Sequence, residues 1–223
     1  MGDLNQLNQQ KNYFHLGVVV NADGKRFIDE GQDFRNYTYS SMGAKVMAQP
    51  EGVAWQIFDQ HSHALLPDEY RGRQVTRIQA ATLQGLIEQM EGVNGPALLH
   101  TLEAYNDAVQ LDVPFNPAVR DGRSTQGLEL PKSNWANPLD RPPFVAYAVT
   151  CGITFTFGGL KVDSQARVLD EEDQPIDGLY AAGELVGNLY YVKYAGGAGL
   201  TSGSVLGRIA GAEACRGNRV KST

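Results

Sequence analysis

The chain has 223 residues, 42% of them hydrophobic, and a net charge of −6 from 19 Lys and Arg against 25 Asp and Glu. That length and apolar content suit one sizeable packed domain or two small ones, and the acidic balance, without basic runs, excludes nucleic acid as the main partner. Cys151 and Cys215 lie far apart with no CxxC or Cys/His spacing, which excludes a disulfide framework and a metal site of the zinc type. No apolar run approaches the roughly 20 residues that cross a bilayer, and the polar start MGDLNQLNQQKNYFH has no signal core, so a cytoplasmic chain is expected.

LGVVVNADGKRFI (16–28) reads as two apolar runs joined by Asn-Ala-Asp-Gly, a hairpin signal. The polar and aromatic stretch EGQDFRNYTYSSMG reads as a loop leading into a helix over 39–48, followed by a strand at 53–58 (VAWQIF). Helical spacing runs through 78–91 (Leu83, Leu86, Ile87, Met90) and 96–110 (Leu98, Leu99, Leu102, Tyr105, Val109), with Asn94-Gly95 between them and Pro96 in a first turn. Residues 111–143, rich in Pro, Asp, Asn and Gly, form an ordered irregular loop. Strands are expected at 144–150, 153–157, 160–163, 166–169 and 178–182, and a Gly-rich loop at 195–203 leads into a final helix over 204–215. Asp59 and the acidic run 170–173 read as surface or turn carboxylates. A boundary near 140 separates a mixed α+β unit (1–140) from a strand-rich unit (141–223).

Three segments of the last third carry chemistry: ITFTFGGLKVD (153–163), GLYAAGE (178–184) and YAGGAGLTSGSVLGRIAG (194–211). Backbone without Cβ can approach a flat ring closely. At a helix start the N–H groups of Gly199, Leu200 and Thr201 can face a negatively polarised ligand; the same small residues also fit a close helix crossing. Glu184 ends an apolar strand after Gly183. Burying it is costly without a partner, and a ribityl or ribose hydroxyl is a suitable one; a plain turn carboxylate is the alternative. No GxGxxG lies behind an N-terminal strand.

In this order the three segments resemble the C-terminal end of the fumarate reductase and succinate dehydrogenase-like FAD flavoproteins. The resemblance implies a chain of α+β and α/β character. A capping (lid) domain over 1–140 would precede the C-terminal portion of a Rossmann-like FAD-binding domain over 141–223, with the N-terminal GxGxxG half absent. It implies FAD, with Gly183 and Glu184 on its sugar chain and Gly158, Gly159, Gly199, Leu200 and Thr201 beside it. No His or Cys stands in a flavinylation context, so non-covalent FAD is expected. NADGKRFIDE (21–30) resembles the start of the family's cap, where a Glu and a following Arg belong to a proton pathway; Glu30 and Arg35 fit these at a longer spacing. Where fumarate reductases read Phe-Asp-Asp and then Arg, this chain reads Phe58-Asp59-Gln60-His61-Ser62-His63. His63 can carry a proton there or be an ordinary surface histidine.

Phe155-Thr156-Phe157-Gly158-Gly159 and Lys193-Tyr194-Ala195-Gly196-Gly197 depart from the stretches with which fumarate reductases grip fumarate, so fumarate is not expected. PKSNWANPLD, PPFVAYAV, GITFTFGGL and DEGQDFRNYTYS resemble the FAD-dependent tricarballylate dehydrogenases. That implies oxidation of a small polycarboxylate, of the tricarballylate to cis-aconitate type, with hydride to flavin N5 and a proton to a base. Lys193, Lys132, Arg141 and Thr156 become substrate-binding candidates, and Tyr194 a group that bonds substrate or shuttles a proton. A tyrosine in a similar loop serves flavin-dependent ketosteroid dehydrogenases, so an enone substrate stays open. Without the other half, the cofactor unit exposes sheet edges and apolar surface. The chain then works with an N-terminal FAD-binding half on a separate chain, or is a non-catalytic fragment.

Overall fold

In the computed structural model, which describes residues 11–71, 77–152, 156–191 and 194–220 (side chains to 216), the first apolar runs form a four-stranded antiparallel sheet. Its order is β1 (Val18–Val20), β2 (Val53–Phe58), β4 (Phe144–Thr150), β3 (Arg77–Ala80), with Val19 opposite Gln56 and Trp55 opposite Ala148. Side chains alternate across the strands. Val18, Val20, Trp55, Ile57 and Ala146 share one face with Leu86 and Ile87 of α3 (Leu83–Ile87) and Leu98, Leu102 and Tyr105 of α4 (Gly95–Ala108). On the other face Val19 and Ala54 meet Phe14, Ile28 and Val46 of α1 (Arg35–Met47), while Phe58, Val145 and Tyr147 meet Leu16, Leu66 and Tyr70.

Local chemistry sets the helix starts. Asn94 accepts the Ala97 N–H at 3.2 Å with Pro in the first turn of α4, and Thr82 accepts the Gly85 N–H for α3. Asp59 is no surface carboxylate: it is 1% exposed and forms a reciprocal capping box with Ser62 at the start of α2 (Gln60–Ala64). The helical spacing at 78–91 yields to pairing at its beginning, because Arg77–Ala80 completes the sheet against β4. The hairpin at 16–28 shrinks to a bridge between Val20 and Arg26, with Gly24 at φ +73 in its turn. Helix α1 begins earlier than expected.

The long loop after α4 is held by side chains rather than by a ladder. Asp29 accepts the N–H groups of Gly31 and Ser133, Asn134 bonds Gly31 O and Gly122 N, and Asp121 accepts the N–H of Trp135. Trp135 is fully enclosed and donates from Nε1 to Val119 O at 2.8 Å.

The chain divides into two compact units after Gly152. A division near 140 would cut β4 from both of its ladders. In the second unit β5 (Arg167–Leu169) and β6 (Pro175–Tyr180) pair antiparallel, and Val168, Ala181 and Val186 form a small core with Leu206 of α5 (Ala198–Val220). Of the strand expected at 153–157, residues 153–155 lie outside the described residues and Thr156-Phe157 is not in a strand. The one at 160–163 reduces to bridges from Leu160 to Val186 and Val162 to Val168. Among the described residues no helix is long and apolar enough to cross a membrane.

Candidate functional site

Two enclosed charges complete the outer edge of β1. Glu30, 1% exposed, accepts the Val19 N–H at 2.9 Å, and Lys132, fully buried, donates from Nζ to Gly17 O at 2.7 Å. These are the backbone groups that an edge strand would otherwise leave unpaired. Arg26 neutralises Glu30 through Nη2–Oε2 (2.5 Å) and Nε–Oε1 (3.1 Å), and it also donates to Leu130 O. Burial pulls the Lys132 ammonium down to about 8 against the attraction of Glu30. Glu30 is therefore paired with Arg26, not with Arg35. Arg26 is the residue that sequence reasoning missed; its i, i+4 spacing from Glu30 was the available signal.

Arg35 opens α1, whose start has no side-chain cap and no acidic residue in its first turn. Its guanidinium lies 4.3 Å over the Tyr13 ring, beside a cavity of about 330 Å³ lined by Tyr13, His15, Phe34, Arg35, Asn36 and Tyr37. His63 belongs to another cluster. Its Nε2 stands 2.8 Å from the Tyr147 hydroxyl, which donates to Tyr70 O, so Nε2 carries the proton. Burial and then the charges of Arg77 and Arg71 lower its pKa. Arg141 is exposed beside Asp140 at 3.8 Å.

The second unit brings most of its candidates into two groups. In the first, the Glu184 carboxylate accepts the Thr156 N–H at 2.5 Å and its hydroxyl at 3.3 Å. Gly159 lets the chain run against the turn after Glu184: a Cβ there would meet Leu185 O at 2.3 Å, and Leu160 N bonds that same carbonyl at 2.8 Å. Gly183 takes φ +85 with open space around it, as Gly158 also has. In the second group the Tyr194 hydroxyl accepts the Gly199 N–H at 2.8 Å, in the space a Cβ on Gly199 would fill. That N–H is thus occupied, and Thr201 N–H bonds Gly197 O, so of the three helix-start donors two are used internally. Leu200 is 82% exposed. Tyr190 joins the groups, 4.9 Å from the Tyr194 ring and 5.9 Å from Phe157. Lys193 lies outside the described residues.

Beside this second group lies a cavity of about 650 Å³, lined by Tyr190, Gly196, Gly197, Thr201, Ser202 and Val205 among others. The FAD-binding domain model matches residues 14–200. The chain belongs to the FAD-binding domain family. FAD is its cofactor, and the residues fit it: Cβ positions at Gly196 and Gly197 are open, and among the described residues the buried Ser202 Oγ lining the cavity has no hydrogen-bond partner. This FAD-binding chain is 32% identical over 203 residues to a fumarate reductase (cytochrome) of Shewanella frigidimarina, covering 89% of this chain and 32% of that protein. It resembles the open conformation of a flavocytochrome c3 fumarate reductase (TM-score 0.67, 28% identity, 93% of this chain and 34% of that one). It also resembles a 3-ketosteroid Δ1-dehydrogenase from Sterolibacterium denitrificans (TM-score 0.67, 28% identity, 91% of this chain and 39% of that one). The chain spans about a third or less of the length of the curated relatives it matches.

Proposed function

We propose that the chain serves an FAD-dependent oxidoreductase acting on the CH–CH bond of a small carboxylate, in its specific form the oxidation of tricarballylate to cis-aconitate. The observation that carries this reading is the glycine-lined cavity at the start of α5, with the Tyr194 hydroxyl fixed beside it. When bound, FAD would supply the acceptor for a hydride from one substrate carbon, while a base takes the proton from the neighbouring carbon, so that the alkene acid forms. Tyr194, oriented by the Gly199 N–H and the Tyr190 ring, presents its hydroxyl to substrate. Arg35 and Arg141 of the first unit, and Lys193 and Thr156 of the second, are each a candidate for binding a substrate carboxylate. Glu30 and Lys132 are enclosed, and their part is to hold β1. His63 holds a proton on Nε2 through Tyr147.

FAD is held without a covalent bond in this reading. The exposed Ile176, Leu179, Leu185 and Leu189 of the second unit support cover by a further FAD-binding segment, on the same or another polypeptide. The free cysteines Cys151 and Cys215 suit a reducing cytoplasm. An enone substrate is the second reading, favoured by the likeness to the ketosteroid dehydrogenase.

The test is the visible spectrum after incubation with excess FAD and desalting, then anaerobic addition of tricarballylate. A retained flavin band that tricarballylate bleaches is expected. A band that only a 3-ketosteroid bleaches favours the second reading. A colourless chain shows that these residues do not hold FAD unaided.

A further inference from the structure

The cavity at the start of α1 contains a group that the reading above leaves idle. His15 is only 7% exposed, and among the described residues its buried Nδ1 has no hydrogen-bond partner. Its ring stands edge-on to Trp135 and Phe14, with centroids at 5.2 and 6.3 Å, and 5.6 Å from Tyr13. An enclosed N–H without an acceptor is rarer and costlier than an enclosed lone pair without a donor. The proton therefore belongs on Nε2, and the ring offers an Nε2–H to the cavity it lines. Burial, with Lys132 and Arg35 nearby, brings its pKa down to about 3, so this donor is neutral.

The other groups at the cavity have matching polarity. Asp33, the acid nearest Arg35 in sequence, pairs with Arg120 at 3.8 Å and leaves the Arg35 guanidinium to the Tyr13 ring. The uncapped first turn of α1 supplies the positive end of a 13-residue helix, and two of its residues, Arg35 and Asn36, line the cavity. Among the described residues no carboxylate lines it.

We propose that this cavity is a carboxylate-binding site in which His15 is a specificity-determining residue, its Nε2–H and the Arg35 guanidinium holding one carboxylate at the start of α1. Tyr13, Phe34 and Tyr37 flank the carbon chain. The site rests on the reading that the chain acts on a small carboxylate. It adds that the imidazole N–H fixes where an acceptor oxygen must lie, while the Arg35 charge favours that oxygen as a carboxylate: a ligand that places no acceptor there leaves a buried donor unpaired, which is how polar pockets reject near-isosteres.

The experiment titrates the full chain with tricarballylate, following the His15 ring nitrogens by NMR and the affinity by calorimetry. It compares the native protein with His15→Phe, His15→Gln and Arg35→Gln, and with the uncharged propane-1,2,3-tricarboxamide as ligand. Oxidation of tricarballylate with an artificial acceptor is measured in parallel on the FAD-loaded chain. Tricarballylate should move the Nε2 resonance, and the triamide, which lacks the charge that Arg35 pairs with, should bind at least about 10-fold more weakly. Affinity should fall about 10-fold in His15→Phe, recover in His15→Gln, whose amide N–H reaches the Nε2 position, and fall further in Arg35→Gln. Unmoved His15 nitrogens, or equal affinity in His15→Phe, overturn the proposal even where tricarballylate is oxidised. Binding at His15 without oxidation keeps the site and overturns the substrate reading instead. No binding at all overturns both.

Discussion

The two units treat charge and apolar surface in opposite ways. The first encloses Arg26, Glu30 and Lys132 among its helices and loop, each with its hydrogen bonds made. The second leaves Leu185 53%, Leu189 47% and Leu179 45% exposed, while its principal carboxylate, Glu184, lies at the surface. The cause is geometric. A four-stranded sheet with helices on both faces has an interior; two strands and one helix have little. In the first unit a residue's role follows from its own surroundings. In the second it depends on what covers the surface.

The sharpest way to break this comparison is to neutralise one acid in each unit. Glu30→Gln leaves Arg26 without its counter-charge and should cost about 3–5 kcal/mol in urea denaturation. Glu184→Gln, exposed and bonded mainly by one N–H, should cost about 1 kcal/mol or less. Equal losses would mean that Glu30 is not an interior charge. An apolar pair repeats the contrast: Leu102→Ala should lose about 2–5 kcal/mol, and Leu179→Ala should stay within about 0.5 kcal/mol. FAD should reverse the asymmetry. At a hundredfold excess over its Kd it should stabilise the chain by about 2.7 kcal/mol. The gain should appear as slowed hydrogen exchange over Ala198–Val220 rather than in β1–β4.

The difference between the units also decided what the sequence made legible. Where burial is local, spacing was enough: Leu86, Ile87, Met90, Leu98, Leu102, Tyr105 and Val109 all enter one core cluster, and 53–58 and 144–150 are strands to the residue. Where long-range pairing competes with local period, it failed, as at Arg77–Ala80. The glycine-rich segments stood out because φ > 0 and missing Cβ atoms are written in the residue type, as at Gly159, Gly183 and Gly197. The start of α5 was placed too late because Ala198–Gly203 reads as loop by composition, while the Tyr194 hydroxyl on Gly199 N and the Gly197 carbonyl on Thr201 N hold its early first turn. Arg26 and His15 escaped for another reason. Their partners are Leu130 and Glu30 in one case, Trp135 and Tyr13 in the other, and a single sequence does not reveal which loop closes over them.

The effect most specific to the first unit is a pH dependence. His15 has a folded pKa of about 3 against an ordinary 6.5, so as pH falls below 6.5 the unfolded chain takes up a proton that the folded chain refuses. Its contribution is therefore fully present above 6.5 and is lost as pH falls from 6.5 towards 3, with a slope of at most about 1.4 kcal/mol per pH unit. Carboxylates titrate in the same range, so the informative quantity is the difference between the native protein and His15→Phe in urea at pH 7 and pH 5.5. Phe keeps the aromatic packing against Trp135 and removes the proton, so the variant should lose less stability over that interval. Parallel losses would mean that the His15 ring protonates in place, and the cavity at α1 would then present a cation in acid, not a neutral donor.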